Sequence, residues 1–299
     1  MAMSKNILRS TLELILAGVL WGFGFVANVW CLSALSPSSI VFYRFVISGA
    51  LGLLLFPILK VNRADIRTEF RISIFAGVSL GLCLFLQTWG LQYTTATNSG
   101  FITTLYVVIV PIISWLSLKE KLAKYHWYFV VLALFGTMLV VHLQTLELNK
   151  GDLLTFLCAI VASVQIVYIS QVSGRSRSPF VFNTFQSLWA GAPYILFLAK
   201  PGEILHWDLG RMDSKAWMGF LSLTFCSTSL AFFLQIRAQK YLSSSHASLL
   251  YLLESPFSFL FAYFLLSERM SRVQFLGAGL ILLSCALATL FEVKARQSE

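Results

Sequence analysis

Hydrophobic residues in this chain fall into blocks of roughly 20, the length a helix needs to cross about 30 Å of hydrocarbon at ~1.5 Å per residue. Ten blocks can be marked, at approximately 12–33, 39–59, 72–93, 97–118, 126–144, 152–172, 179–199, 216–236, 244–266 and 273–292. They lack the ten-residue alternation of lipid-facing barrel strands, so helices are the expected way to satisfy their backbone polar groups in lipid. With 58% hydrophobic and 12% charged residues in 299, the chain has too little polar surface to cover a soluble globule. The fold class expected is an all-α integral membrane protein of ten transmembrane helices.

The blocks come as two copies. Glu120, in Leu118-Lys119-Glu120-Lys121-Leu122, recurs 148 residues later as Glu268, in Leu266-Ser267-Glu268-Arg269-Met270. The same shift carries Leu86-Gln87 onto Leu234-Gln235 and Tyr93 onto Tyr241, and a shift of 142 carries Ser36-Pro37 onto Ser178-Pro179. Each pair falls at the same point of a repeating cycle of five spans. An odd number of spans per copy means that the second copy inserts upside down, the arrangement typical of transporters.

Charge supports the same topology. If the amino terminus is cytoplasmic, the loops on that side carry fifteen Lys and Arg residues, including Lys60, Arg63, Arg67 and Arg71, and the opposite loops carry six. Basic loops stay in the cytoplasm, so both termini are expected there, which requires an even number of spans. The formal charge of +9 is thereby read as topology, and nucleic acid is not an expected partner.

Catalytic patterns are absent. Asp65, Asp152, Asp208 and Asp213 lie in loops or at helix ends, and neither an HExxH nor a phosphate-cradling Gly-rich loop ending in Lys-Ser/Thr occurs. The five cysteines sit singly in apolar spans, with no CxxC or Cys/His cluster. No enzyme activity, metal or cofactor is expected. Pro111 and Pro256 fall inside spans four and nine, where each removes a backbone hydrogen bond; they are candidates for a packing kink or a gating bend. Gly77, Gly81, Gly277 and Gly279 are read as close helix contacts, and the tail from Glu292 to Glu299 as disordered.

Polar side chains inside spans are costly and therefore informative. Arg44 in span two and Glu254 in span nine are the clearest. Arg44 can snorkel or pair structurally, and its counterpart in the second copy is Gln186. Glu254 is open to three readings: a proton carrier, a partner for a substrate ammonium, or a neutral carboxyl bonded to a neighbouring helix. Gln87 and Gln235 occupy matched places in spans three and eight, and Gln165 and Asn98 add uncharged donors and acceptors suited to reversible recognition. The same amides could equally be interhelical glue. Trp21, Phe25, Tyr106, Tyr168 and Tyr251 lie well inside spans, with Tyr251 on nearly the same helical face as Glu254.

Several segments together resemble the EamA-type members of the drug/metabolite transporter superfamily. They are Leu20-Trp21-Gly22; Tyr43-Arg44-Phe45; Gly100 through Val108 leading to Pro111 and Lys119-Glu120-Lys121; and Leu253-Glu254-Ser255-Pro256 leading to Leu266-Ser267-Glu268-Arg269 and Gly277-Ala278-Gly279. The resemblance implies two inverted five-helix EamA repeats, at 12–144 and 151–292, around a central cavity lined by spans one, three, four, six, eight and nine. By that pattern Trp21, Gln87, Asn98, Tyr106, Gln165, Tyr168, Gln235, Tyr251 and Glu254 are substrate-binding candidates, and Glu120 and Glu268 are structural. It further implies a secondary transporter in the bacterial inner membrane, exporting amino acids or similar small metabolites by alternating access, with protons as candidate coupling ions at Glu254. An uncoupled facilitator or exchanger, or a non-transporting scaffold, would share the same outline.

Overall fold

The computed structural model describes residues 2–119, 124–140, 149–194, 209–269 and 271–297. Among these, all regular structure is helical. The first copy contains α1 (Ala2–Leu32), α2 (Pro37–Leu55), α3 (Arg63–Gly90), α4 (Ala96–Thr103), α5 (Tyr106–Leu118) and α6 (Lys124–Val140). The second contains α7 (Lys150–Ser173), α8 (Pro179–Pro193), α9 (Ser214–Leu221), a π-helical stretch Ser222–Ala231, α10 (Phe232–Ala238), α11 (Ser244–Tyr251), α12 (Glu254–Leu265) and α13 (Arg272–Gln297).

Among the described residues, seven continuous or nearly continuous helical runs are long and apolar enough to span a bilayer, and Trp127–Leu139 and Arg272–Ser284 are shorter apolar helices. Span seven is described from Pro179 to Tyr194. The tail differs from expectation: α13 continues to Gln297, and Glu292 through Arg296 contains neither Gly nor Pro to break it. The connector at 200–215 and Glu120 lie wholly or largely outside the described residues.

Local chemistry sets the helix starts. Ser36 and Ser178 each cap a helix whose first residue is proline, accepting from Ser39 N at 3.2 Å and Val181 N at 3.4 Å. A proline there loses no helical bond, since its N–H would be an orphan. Thr95 and Ser243, 148 apart, cap α4 and α11 in the same way.

The two copies break their helices at matching positions. Span four is interrupted at Thr104–Leu105 and span nine at Leu252–Leu253, again 148 apart. Thr104 N donates to Phe101 O and Leu105 N to Ile102 O, and Leu252 N donates to Leu249 O and Leu253 N to Leu250 O. These are tight i→i+3 bonds in place of the α-helical ladder. Beyond each break, Lys119 and Ser267 take left-handed backbone at φ 54° and 58° to end the span. The prolines are out of step with this pattern. Pro256 follows its break closely and Pro111 lies several residues beyond its own, so proline alone does not account for the paired interruption.

Small residues set the packing between copies. A Cβ at Gly77 would stand 2.5 Å from Gln186 O, and one at Gly81 would stand 2.4 Å from Ala190 O, so only glycine lets α3 come this close to α8. Gly279 departs from expectation: its Cβ would meet nothing within 4 Å, so it is not a contact glycine.

Two carboxylates tie the copies together at helix starts. Glu268 accepts from Ala96 N at 3.2 Å, Thr97 N at 3.3 Å and the Thr97 hydroxyl, capping α4 from the other copy. Glu69, fully buried on α3, accepts from Arg177 N at 2.6 Å, Ser178 N at 3.0 Å and Ser176 Oγ at 3.2 Å just ahead of α8. Lys240 Nζ donates to Ser176 O at 2.7 Å in the same corner, and burial pushes its ammonium below the ordinary lysine range against the pull of Glu69. Replacing Glu69 by leucine orphans two backbone N–H groups. An expected loss of about 1–3 kcal/mol would appear as a lower midpoint of thermal unfolding in detergent, and an unchanged midpoint would contradict this capping role.

Candidate functional site

The two interrupted spans meet around a cavity whose volume, taken as the space open to the centre of a water molecule, is about 70 Å³. A single buried water needs roughly 10–15 Å³ on this measure, so the space suits a small solute and not a lipid. Its wall is contributed by spans one, three, four, six, eight and nine, and span two adds Arg44.

Seven of the nine candidate residues lie on that wall: Trp21, Gln87, Tyr106, Gln165, Gln235, Tyr251 and Glu254. The break explains two of them. Tyr106 opens α5 and Glu254 opens α12, at equivalent positions 148 apart, so each side chain is presented where the ladder is interrupted. Asn98 and Tyr168 are elsewhere. Asn98 sits in the first turn of α4, and Tyr168 turns toward α3, donating to Ile72 O at 2.9 Å and packing on Phe75 at 4.8 Å. Cys83 and Cys158, read singly from sequence, meet as thiols with sulfurs 3.3 Å apart, and Cys83 reaches the cavity wall.

Two wall residues were legible but not selected. Asn28 follows Trp21 by two helical turns, hence on the same face of α1, and Thr103 precedes Tyr106 by three residues. Asn28 is fixed by donating to Gly24 O at 2.9 Å and accepting from Thr88 at 3.3 Å. Gln87 donates to Thr103 Oγ1 at 3.2 Å.

The apolar part of the wall is an aromatic box. The Trp21 ring centroid lies 5.1 Å from Phe232 and 5.3 Å from Tyr251, and Tyr106 stands edge-on to Tyr251 at 6.3 Å. Offset and edge-on pairs of this kind are rigid and favourable. Among them are polar atoms without protein partners: Trp21 Nε1, Gln165 Nε2 and Gln235 Oε1 are buried and make no hydrogen bond. Gln235 Nε2 reaches Gln165 Oε1 only at 3.4 Å, near the limit of a useful bond. Most buried polar atoms in native proteins are paired. Two donors and one acceptor left over in one cavity are therefore suited to a polar solute.

The sequence profile of the EamA-like transporter family matches residues 9–142 and 149–290, nearly the whole chain in two stretches. The chain belongs to the EamA-like transporter family. This membership makes it a multi-pass membrane transporter built from two EamA repeats. A protein of Archaeoglobus fulgidus, described as an uncharacterized transporter, is 34% identical over 283 residues, covering 95% of this chain and 86% of the relative. The uncharacterized transporter YoaV of Bacillus subtilis is 23% identical over 278 residues, covering 90% of this chain and 93% of its own. A protein crystal structure superposes with a TM-score of 0.75 at 20% identity, covering 94% of this chain and 98% of that one, which shows a shared fold.

Proposed function

We propose that this EamA-family chain is a secondary transporter, exporting amino acids or similarly small, partly apolar metabolites by alternating access. The observation that carries this reading is the cavity in which unpartnered donors and an acceptor on Trp21, Gln165 and Gln235 are set within aromatic walls. An apolar portion of the solute stacks in the box formed by Trp21, Phe232 and Tyr251, and its polar end bonds the amides. In the proposed topology ten spans form inverted halves at 12–144 and 151–292, with both termini on the cytoplasmic side of a bacterial inner membrane. The matched breaks in spans four and nine support it, because interrupted helices at the midplane are the usual substrate-binding elements of inverted-repeat transporters.

Glu254 is the proton-coupling candidate in this scheme. It opens α12 on the cavity wall, so a carboxyl there alternates between the two aqueous sides as the halves move. Reconstitution in liposomes, with uptake compared across imposed pH gradients, tests the coupling. A gradient is expected to drive accumulation of the solute, and Glu254→Gln is expected to retain exchange of the solute between the two sides while losing that accumulation. If the gradient changes neither rate nor extent and Glu254→Gln behaves as wild type, proton coupling is lost and an uncoupled facilitator is the reading that stands. Silence across a broad metabolite panel, in transport and in thermal shift, would favour the scaffold.

A further inference from the structure

Arg44 lies in the middle of α2, 1% exposed, and forms part of the cavity wall. Its guanidinium is held by neutral groups: Nε donates to Thr228 Oγ1 at 2.8 Å and Nη2 to Ser227 Oγ at 2.9 Å. The Phe45 ring lies 5.4 Å from its central carbon. No carboxylate of the described residues comes within 4.0 Å of it. The ion pairs found join Arg9 and Arg237 to Glu13, and Arg177 to Asp65. An arginine is always charged and offers five N–H donors in a planar fork, of which these hydroxyls take two. A cation without a counter-ion inside a membrane bundle is costly and marks a functional position by default.

The surroundings are built to hold that fork in place. Ser227 and Thr228 belong to the π-helical stretch Ser222–Ala231, whose widened turns leave carbonyls displaced from the α-helical ladder. Asn183 Nδ2 takes up one of them, Ser229 O at 3.0 Å, and Ser229 Oγ donates to Thr224 O at 2.9 Å. The matching stretch of the first copy, residues 74–83, is ordinary α-helix. The matching residue for Arg44 is the uncharged Gln186. Charge and helix geometry therefore break the repeat together, at the cavity wall.

We propose that Arg44 is the anion subsite of the cavity, and that the solutes carried are carboxylates whose apolar part rests against the aromatic box. A planar carboxylate matches the guanidinium fork and supplies the missing negative charge. In a zwitterion, the ammonium would be left for Glu254, on the same wall. This proposal rests on the transport reading and adds to it a charge requirement.

The test uses three related probes, leucine, 4-methyl-2-oxopentanoate and leucinamide, and the corresponding phenylalanine set, with the purified full chain. Thermal shift and proteoliposome uptake are both read. The acids are expected to stabilise and compete in the wild type while the amides do not, a comparison that requires no variant. Arg44→Gln is expected to raise KM for an acid by roughly tenfold to a hundredfold, the range of a charge-assisted bond. Arg44→Lys should recover part of the loss, since it restores the charge without the fork. Amides that bind as well as acids, or an Arg44→Gln protein with wild-type KM for acids, would overturn the subsite and leave the transport reading standing. If neither these probes nor a wider metabolite panel engages the wild type, the transport reading fails and the subsite falls with it.

Discussion

Replacing Gly22 by alanine is expected to cost about 1–3 kcal/mol of stability, the usual penalty for overpacking a tight contact, and to impair transport with it. A Cβ at this position would stand 2.6 Å from Phe257 Cβ, 2.8 Å from Ser258 N and 3.0 Å from Glu254 O. Two of those three atoms are backbone, so no rotamer change relieves the clash and α1 must move away from α12. The movement falls on the first turn of α12, which places Glu254, and beside Trp21 in the aromatic box. Gly279→Ala is the internal control. Its Cβ meets nothing within 4 Å, and exchanging glycine for alanine in a helix gains up to about 1 kcal/mol. Thermal unfolding of both variants in detergent, followed by circular dichroism, separates them. Equal midpoints for the two would show that the α1–α12 contact is not close-packed.

How much of this was legible in the sequence depends on which physical signal each feature leaves. The helical membrane fold and the two EamA repeats could be read because hydrocarbon thickness imposes long apolar runs, and because Ser36-Pro37 recurs as Ser178-Pro179 and Glu120 as Glu268 at matching points of the five-span cycle. The cavity residues Gln87, Gln165, Gln235 and Glu254 stood out because polar groups in apolar spans are rare. Orientation was harder. Asn98 and Tyr168 belong to the same cavity-forming spans, yet one sits in the first turn of α4 with its N–H held by the Thr95 cap and the other turns to α3; membership of a span does not fix a face. The helix breaks at Thr104 and Leu252 leave no proline at the break itself, so attention to Pro111 and Pro256 pointed to the right helices and not to the shared interruption. The π-helical stretch around Ser227 has no composition signature, and with it went the setting that makes Arg44 more than a snorkelling cation.

The double substitution Gln165→Met, Gln235→Met is expected to keep or raise stability, by up to about 1–3 kcal/mol, while reducing solute affinity at least tenfold. The sign of the first effect is the diagnostic one. Both amides are buried, at 3% and 2% exposure, so neither can be satisfied by bulk water. They share one long bond of 3.4 Å, the Gln235 amide also reaches Tyr251, and Gln165 Nε2 and Gln235 Oε1 have no partner. An unsatisfied buried polar atom costs about 1–3 kcal/mol, and replacing both members of a pair by apolar groups of similar shape is neutral or stabilising. Methionine nearly matches glutamine in volume and flexibility, so packing in the box is retained. If these glutamines were interhelical glue, the double variant would instead unfold at a lower temperature with its transport falling in proportion to the folded fraction. A protein that gains or keeps its midpoint and loses solute binding is one whose amides are held unpaired for a solute, because stability given up at a cavity wall is what recognition there requires.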